Sequence, residues 1–402
     1  MKDYFLYSIL CTVGGSSIAK GSINRRRLHP NAAVVDFISN TEIFRASKAI
    51  MVSRVDPADA SGKSAPCSSP SKEWLRQQVS NVSNDDLSNF FDWYVYTLPF
   101  AYKLYVEPRE KNDQEYFGLD GEYTQETNYI HEQAEDFWSN SGVEDDIHLL
   151  CAHGSDLADR HNKLIPTLEA LFGKSYDDDY TIFEHATDIQ ELIMRLPGGY
   201  NYPLLTFNAF ATDEVDDEND SPSIIIGDGY FEFQQSVGLG SGGPEYALTH
   251  EHAHHLQFSL EEESGSRRDI RREELMADAF SAYFLAHSSG GDMTAEKLSN
   301  THEIAFSVGD CETSNTVSHH GTPTQRRCAT RWGASVAASQ DATNLDLVEL
   351  VNIFDTWYEG VDDVDDLCQQ AASVASITAN HNIIYSLEVV IFIFESVNVF
   401  GF

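Results

Sequence analysis

Basic residues are scarce in this chain: 26 lysines and arginines stand against 64 aspartates and glutamates, a formal net charge of −38. Such a field repels phosphate backbones and anionic lipid surfaces, so no nucleic-acid or anionic-membrane partner is expected. Long apolar runs are missing as well. No segment offers the ~18 uncharged apolar residues that a spanning helix requires. The nearest, Tyr385 to Phe402, is interrupted by Glu388 and Glu395 and reads as a buried strand or helix. Cysteine is sparse, and six in 402 residues are too few to build the chain as a disulfide scaffold. The acid runs Asp177 to Asp179, Asp213 to Asp220 and Asp362 to Asp366 lack the regular spacing of calcium loops and read as solvated turns.

What remains is ample for a core, since 42% of the residues are hydrophobic, enough for one large or two ordinary domains. Residues 1–19 read as a signal peptide: Lys2 precedes an apolar run from Tyr4 to Val13, and Ser17-Ile18-Ala19 supplies small residues for cleavage. That implies the secretory pathway, with the cytoplasm as the alternative. In a secreted chain Asn81-Val82-Ser83 and Asn219-Asp220-Ser221 are glycosylation acceptors. Residues 20–71, with Arg25 to Arg27 and a Ser/Pro/Ala-rich stretch, read as a poorly ordered linker or pro-segment.

A single domain is expected from residue 72 to 402, with a helical part to residue 200, a sheet and site helices from 201 to 291, and a helical part beyond. Helical periodicity marks Trp74 to Val82, Phe90 to Tyr105, Asn128 to Trp138, His161 to Phe172 and Asp188 to Leu196. Strand-like patterns occupy Pro203 to Phe207, Ser223 to Gly227 and Tyr230 to Phe233. His131, His148, His153 and His185 fall at no metal spacing and read as ordinary polar residues.

The chemistry concentrates in His250-Glu251-His252-Ala253-His254 and Glu274-Leu275-Met276-Ala277-Asp278. Residues four apart on a helix share a face, so His250 and His254 can point nitrogens at one ion. Glu251 lies beside them, placed to take a proton from a water on that ion. Glu274 can complete a two-histidine, one-glutamate zinc set, with Glu273 as its competitor. Asp278, one turn on, can accept the other N–H of a ligand histidine. His252 and His255 read as satisfied or exposed side chains. Two i, i+4 pairs of matching chemistry are hard to obtain by accident.

An H-E-x-x-H helix followed by E-x-x-x-D on a second helix resembles the gluzincin, thermolysin-like metallopeptidases. The longer strings His250 to Gln257 and Glu274 to Phe280 are similar to the neutral zinc metallopeptidases, with Ala253 where that family carries glycine. That family's later H-G-[ST]-x-x-Q-R stretch is matched by His320-Gly321-Thr322-Pro323-Thr324-Gln325-Arg326. The resemblance implies an α+β, mostly helical zincin-like fold with a small mixed sheet packed on the H-E-x-x-H helix. It implies an edge strand that holds extended substrate, for which Tyr230 to Phe233 is the candidate.

The expected activity is hydrolysis of a peptide or protein by one zinc ion per chain, with Glu251 as general base. His320, Arg326 and Tyr246 are the candidate oxyanion donors, in that order. The alternatives are a zinc hydrolase of another amide or ester, or a catalytically silent zinc scaffold. Cys311 and Cys328 flank the third motif, and a bridge between them would close its loop.

Overall fold

The computed structural model describes residues 69–107, 115–139, 141, 147–172, 181–212, 222–264, 270–310, 320–339 and 345–359. The expected signal peptide, the linker to residue 68, the acid runs, Asn219, Cys311 and the tail from residue 385 lie outside these residues.

Helices α1 (Pro70–Ser80), α2 (Asn84–Asp92), α3 (Leu98–Tyr105) and α4 (Thr124–Trp138) come first. Strand β1 (His148–Ala152), helices α5 (Ile165–Phe172) and α6 (Ile182–Arg195), and strands β2 (Ala209–Thr212) and β3 (Ser223–Gly227) follow. Helix α7 (Asp228–Ser236) starts directly at the end of β3. The remainder is α8 (Gly243–Ser264), α9 (Ile270–Ala286), α10 (Ala295–Val308), α11 (Pro323–Ser339) and α12 (Leu347–Glu359). The described chain is thus mostly helical with a small sheet, as an α+β reading requires. None of its helices is long and apolar enough to cross a membrane.

The chain divides into two compact units, each assembled from separated stretches. The first holds α1 to α3, α5 to α7 and the sheet. Its three strands run in the order β1-β3-β2, with β1 parallel and β2 antiparallel to the central β3. All of β3 is buried, which is why Ile224, Ile225 and Ile226 stand consecutively and do not alternate with polar residues. Trp74 packs on Phe207 and Phe233, with ring centroids 4.6 and 5.4 Å away, and Phe100 packs on Phe210.

Two of the expected strands are something else. Tyr230 to Phe233 belongs to α7, because Tyr230, Phe231, Phe233 and Gln234 make a helical buried face; four residues are too few to separate the two periods. This removes the candidate edge strand for substrate. Pro203 to Leu205 forms a 3₁₀ turn, with the proline at its start where no N–H is needed.

The second unit, from Glu126 in α4 and then from residue 239, is built around α9. Residues Leu275 to Leu285 are all buried, so α9 is a central helix with no solvent face. Its antiparallel course against α8 is fixed by paired contacts: Gln257 meets Glu273 near one end, and Thr249 Oγ1 lies 2.6 Å from Ser281 Oγ near the other. Helix α11 packs on α9 at close range through Gly333. A Cβ there would stand 1.9 Å from the carbonyl oxygen of Ala279, so only glycine permits the approach.

Candidate metal centre

Helix α8 presents His250 and His254 one turn apart, and α9 presents Glu274 opposite them. His250 Nε2 is 3.4 Å from Glu274 Oε2, and His254 Nε2 is 3.8 Å from Glu274 Oε1. All three donor atoms lie within 4.8 Å of one another. Two donors ~2.1 Å from a tetrahedral zinc stand roughly 3.4 Å apart, so the set has the dimensions of a zinc site. Glu274 occupies the position in this set, whereas Glu273 serves it through its main chain.

Each histidine has a polar neighbour at its other nitrogen. Gln257 donates its Nε2 to the carbonyl of Glu273 at 2.7 Å, which turns its Oε1 toward His254 Nδ1 at 2.9 Å. An amide oxygen can only accept, so the His254 proton sits on Nδ1 and Nε2 is left bare for an ion. His250 Nδ1 lies 3.1 Å from Asp278 Oδ1, in ion-pair range though off the line of a hydrogen bond. Asp278 thereby stands where an acid that orients a ligand histidine belongs.

Asp278 is fully buried and held by more than His250. Arg326, from the first turn of α11, donates Nε to Asp278 Oδ2 at 2.8 Å and Nη2 to Oδ1 at 3.0 Å. The Tyr246 hydroxyl, one turn before His250, donates to Oδ1 as well. Arg326 Nη2 also approaches Tyr246 Oη at 3.3 Å, His250 Nε2 at 3.4 Å and Glu274 Oε2 at 3.5 Å. With 2% of its surface exposed, Arg326 is one of the largest fully buried side chains. Its fork is taken up by a carboxylate, and the same holds for the Tyr246 hydroxyl. Of the candidate oxyanion donors, two are therefore engaged in holding Asp278.

His320 is buried just before α11, its backbone N–H donating to Asp310 Oδ2 at 2.7 Å and its Nδ1 lying 3.7 Å from that oxygen. Its charge reaches Glu274. Burial pushes the Glu274 carboxyl up, but His250, then His320, Arg326 and His254, outweigh it and hold the acid well below its usual range. Burial likewise opposes charge on His250, yet Asp278 and Glu274 raise its pKa to about 10. Burial dominates at His254, lowering it to about 4. Glu251, on the same turn of α8, is 7% exposed.

The structure thus brings His250, His254, Glu274, Asp278 and Arg326 together and sets His320 within electrostatic reach. Gln257 is an addition: it stands in the string beside the ligands, but its service to His254 depends on the carbonyl of Glu273. His252 is neither exposed nor satisfied. It is buried with no hydrogen bond at either nitrogen, and burial, with His255 and His131 nearby, lowers its pKa to about 3. Cys328 is disulfide-bonded. Compared with family models, curated proteins and solved structures, the chain finds no match.

Proposed function

We propose that the chain is a zinc-dependent metallopeptidase of the gluzincin type. The observation that carries this reading is the convergence of His250 Nε2, His254 Nε2 and the Glu274 carboxylate at zinc-ligand separations, with an acid next in sequence to one ligand. Bound zinc would supply Lewis acidity, lowering the pKa of a water and polarising a carbonyl. Glu251 accepts the proton of the attacking water and returns it to the leaving amine. His320 donates to the oxygen that gains charge. Asp278, clamped by Arg326 and Tyr246, keeps the His250 ring turned toward the ion. A silent scaffold would have no use for Glu251, which favours an enzyme over a store. The disulfide at Cys328 suits an oxidising compartment, in line with export.

The test is metal analysis of the purified chain together with a casein or mixed-peptide digest before and after chelation. Hydrolysis should stop on chelation and return with zinc. The double variant His250→Ala, His254→Ala should lose the zinc held here and all hydrolysis, because one protein ligand remains. Undiminished zinc at this site in that variant would sink the assignment, and hydrolysis of esters but not peptides would shift the substrate class.

For His320→Ala, kcat should fall by roughly 10²- to 10³-fold with KM and zinc content little changed, since an oxyanion donor acts in the transition state. A lowered melting temperature with kcat per folded molecule intact would make His320 a structural cap instead.

A further inference from the structure

In the first unit, β1 and β3 run parallel in register up to the pair Ala152 and Gly227. The next residue on each chain is His153 and Asp228, so the two side chains leave the same end of adjacent parallel strands. Cys151 stands two residues before His153, on the same face of the chain. All three are buried, at 0% exposure for Cys151 and 4% for each of the others. In open sheets with parallel strands the carboxyl ends are where ligands collect.

We infer that Cys151, His153 and Asp228 form a second metal site, for a zinc-like divalent cation held by thiolate, imidazole and carboxylate. Their donor atoms lie within 4.8 Å of one another. The Cys151 thiol donates to Asp228 Oδ1 at 3.6 Å, and sulfur and oxygen donors on one tetrahedral zinc also stand roughly 3.6 Å apart. His153 Nδ1 lies 2.9 Å from Asp228 Oδ2, a hydrogen bond that the cation would replace. The carboxylate can only accept, so that bond places the ring proton on Nδ1; His153 Nε2, buried without a partner, can carry the proton once a cation takes Nδ1. A mixed thiolate and imidazole set selects zinc over magnesium or calcium.

Charge supports the same conclusion. Among the described residues the ion-pair partner of Asp228 is His153 alone. Lys103 pairs with Glu107 and Glu115 at 2.7 and 3.0 Å, and Glu115 in turn accepts the Cys151 backbone N–H at 2.6 Å. A buried carboxylate beside a thiol therefore lacks a full counter-charge, which a divalent cation supplies. On binding, the thiol gives its proton to solvent and its sulfur lone pair to the cation.

Position is held by the backbone. Gly227 passes so close to Thr206 that a Cβ would lie 1.9 Å from its carbonyl oxygen, and the Gly229 N–H donates to Thr206 Oγ1 at 2.9 Å. Asp228 is thus pinned from both sides. The Tyr116 ring stacks on His153 with centroids 4.0 Å apart and fixes the plane of the imidazole. Ligands that are ordered before the ion arrives are what a metal site requires.

The test loads the full chain with cobalt after chelation and records both stoichiometry and the near-ultraviolet spectrum. Thiolate-to-cobalt charge transfer reports Cys151, because the His250 centre has no sulfur donor. Two equivalents with the thiolate band support both sites. One equivalent with the band supports this site and rejects the zinc reading of His250. One equivalent without the band, or none, overturns the inference. Cys151→Ser should abolish the band and one equivalent, whereas the His250→Ala, His254→Ala variant should keep both the band and that equivalent. Should Cys151→Ser fail to fold by circular dichroism, His153→Gln should weaken cobalt binding at this site by roughly 100-fold or more, the upper end of what changes outside the ligand set produce. A band insensitive to both changes belongs to another cysteine and overturns the assignment.

Discussion

Glu251→Gln is expected to slow peptide hydrolysis by roughly 10²- to 10⁴-fold, the range that a positioned general base contributes. The amide keeps the size and polarity of the acid but cannot accept the proton of the attacking water. Metal content should stay at the wild-type level, because the donor atoms gathered at the centre come from His250, His254 and Glu274. KM should change little, since the lost function belongs to the transition state and not to ground-state binding. The measurement is kcat at matched zinc occupancy. A variant that hydrolyses peptides as fast as the parent removes Glu251 from the mechanism, whereas one that also loses zinc places it in the ligand field.

The other large effect is expected on stability. Arg326→Ala deletes the guanidinium that makes a two-point contact with Asp278, at 2.8 and 3.0 Å, in a place where both residues are buried. Removing one partner of a buried pair costs about 3–5 kcal/mol, because the other charge is left without compensation. For a unit of this size that corresponds to a fall in melting temperature of roughly 6–20 °C. Arg326→Lys should recover only part of it, since an ammonium is a point charge and cannot make the fork. Both variants are best compared after chelation, so that metal binding does not mask the difference. A melting temperature unchanged in Arg326→Ala would mean that the clamp contributes nothing to the folded state.

How much of this was readable in advance depends on the sequence distance between partners. The His250/His254 pair on α8 and the Glu274/Asp278 pair were legible because i, i+4 spacing fixes a shared helix face whatever the rest of the chain does. The role of Arg326 was not legible: its partner Asp278 is 48 residues away, and a short motif cannot say whether an arginine faces substrate or a buried acid. The same distance hides Tyr246. Helix α7 reads as a strand in the sequence because three aromatics and one acid, Tyr230 to Phe233, satisfy both periods, and β1 carries too little pattern in five residues with one histidine. His153 looked ordinary for a related reason, since Asp228 lies 75 residues on and only strand pairing brings the two together.

The contact at Gly333 bears on how this protein can vary. Where helices meet through side chains, their separation drifts whenever a core residue changes size. Here α11 rests on the main chain of α9 at Ala279, the residue after Asp278. A backbone stop of that kind has no adjustable part. The gap that the Arg326 guanidinium spans is thus insulated from repacking of the surrounding apolar side chains, and the core around Trp332 and Phe354 can drift in composition while the orientation of His250 two helices away stays constant.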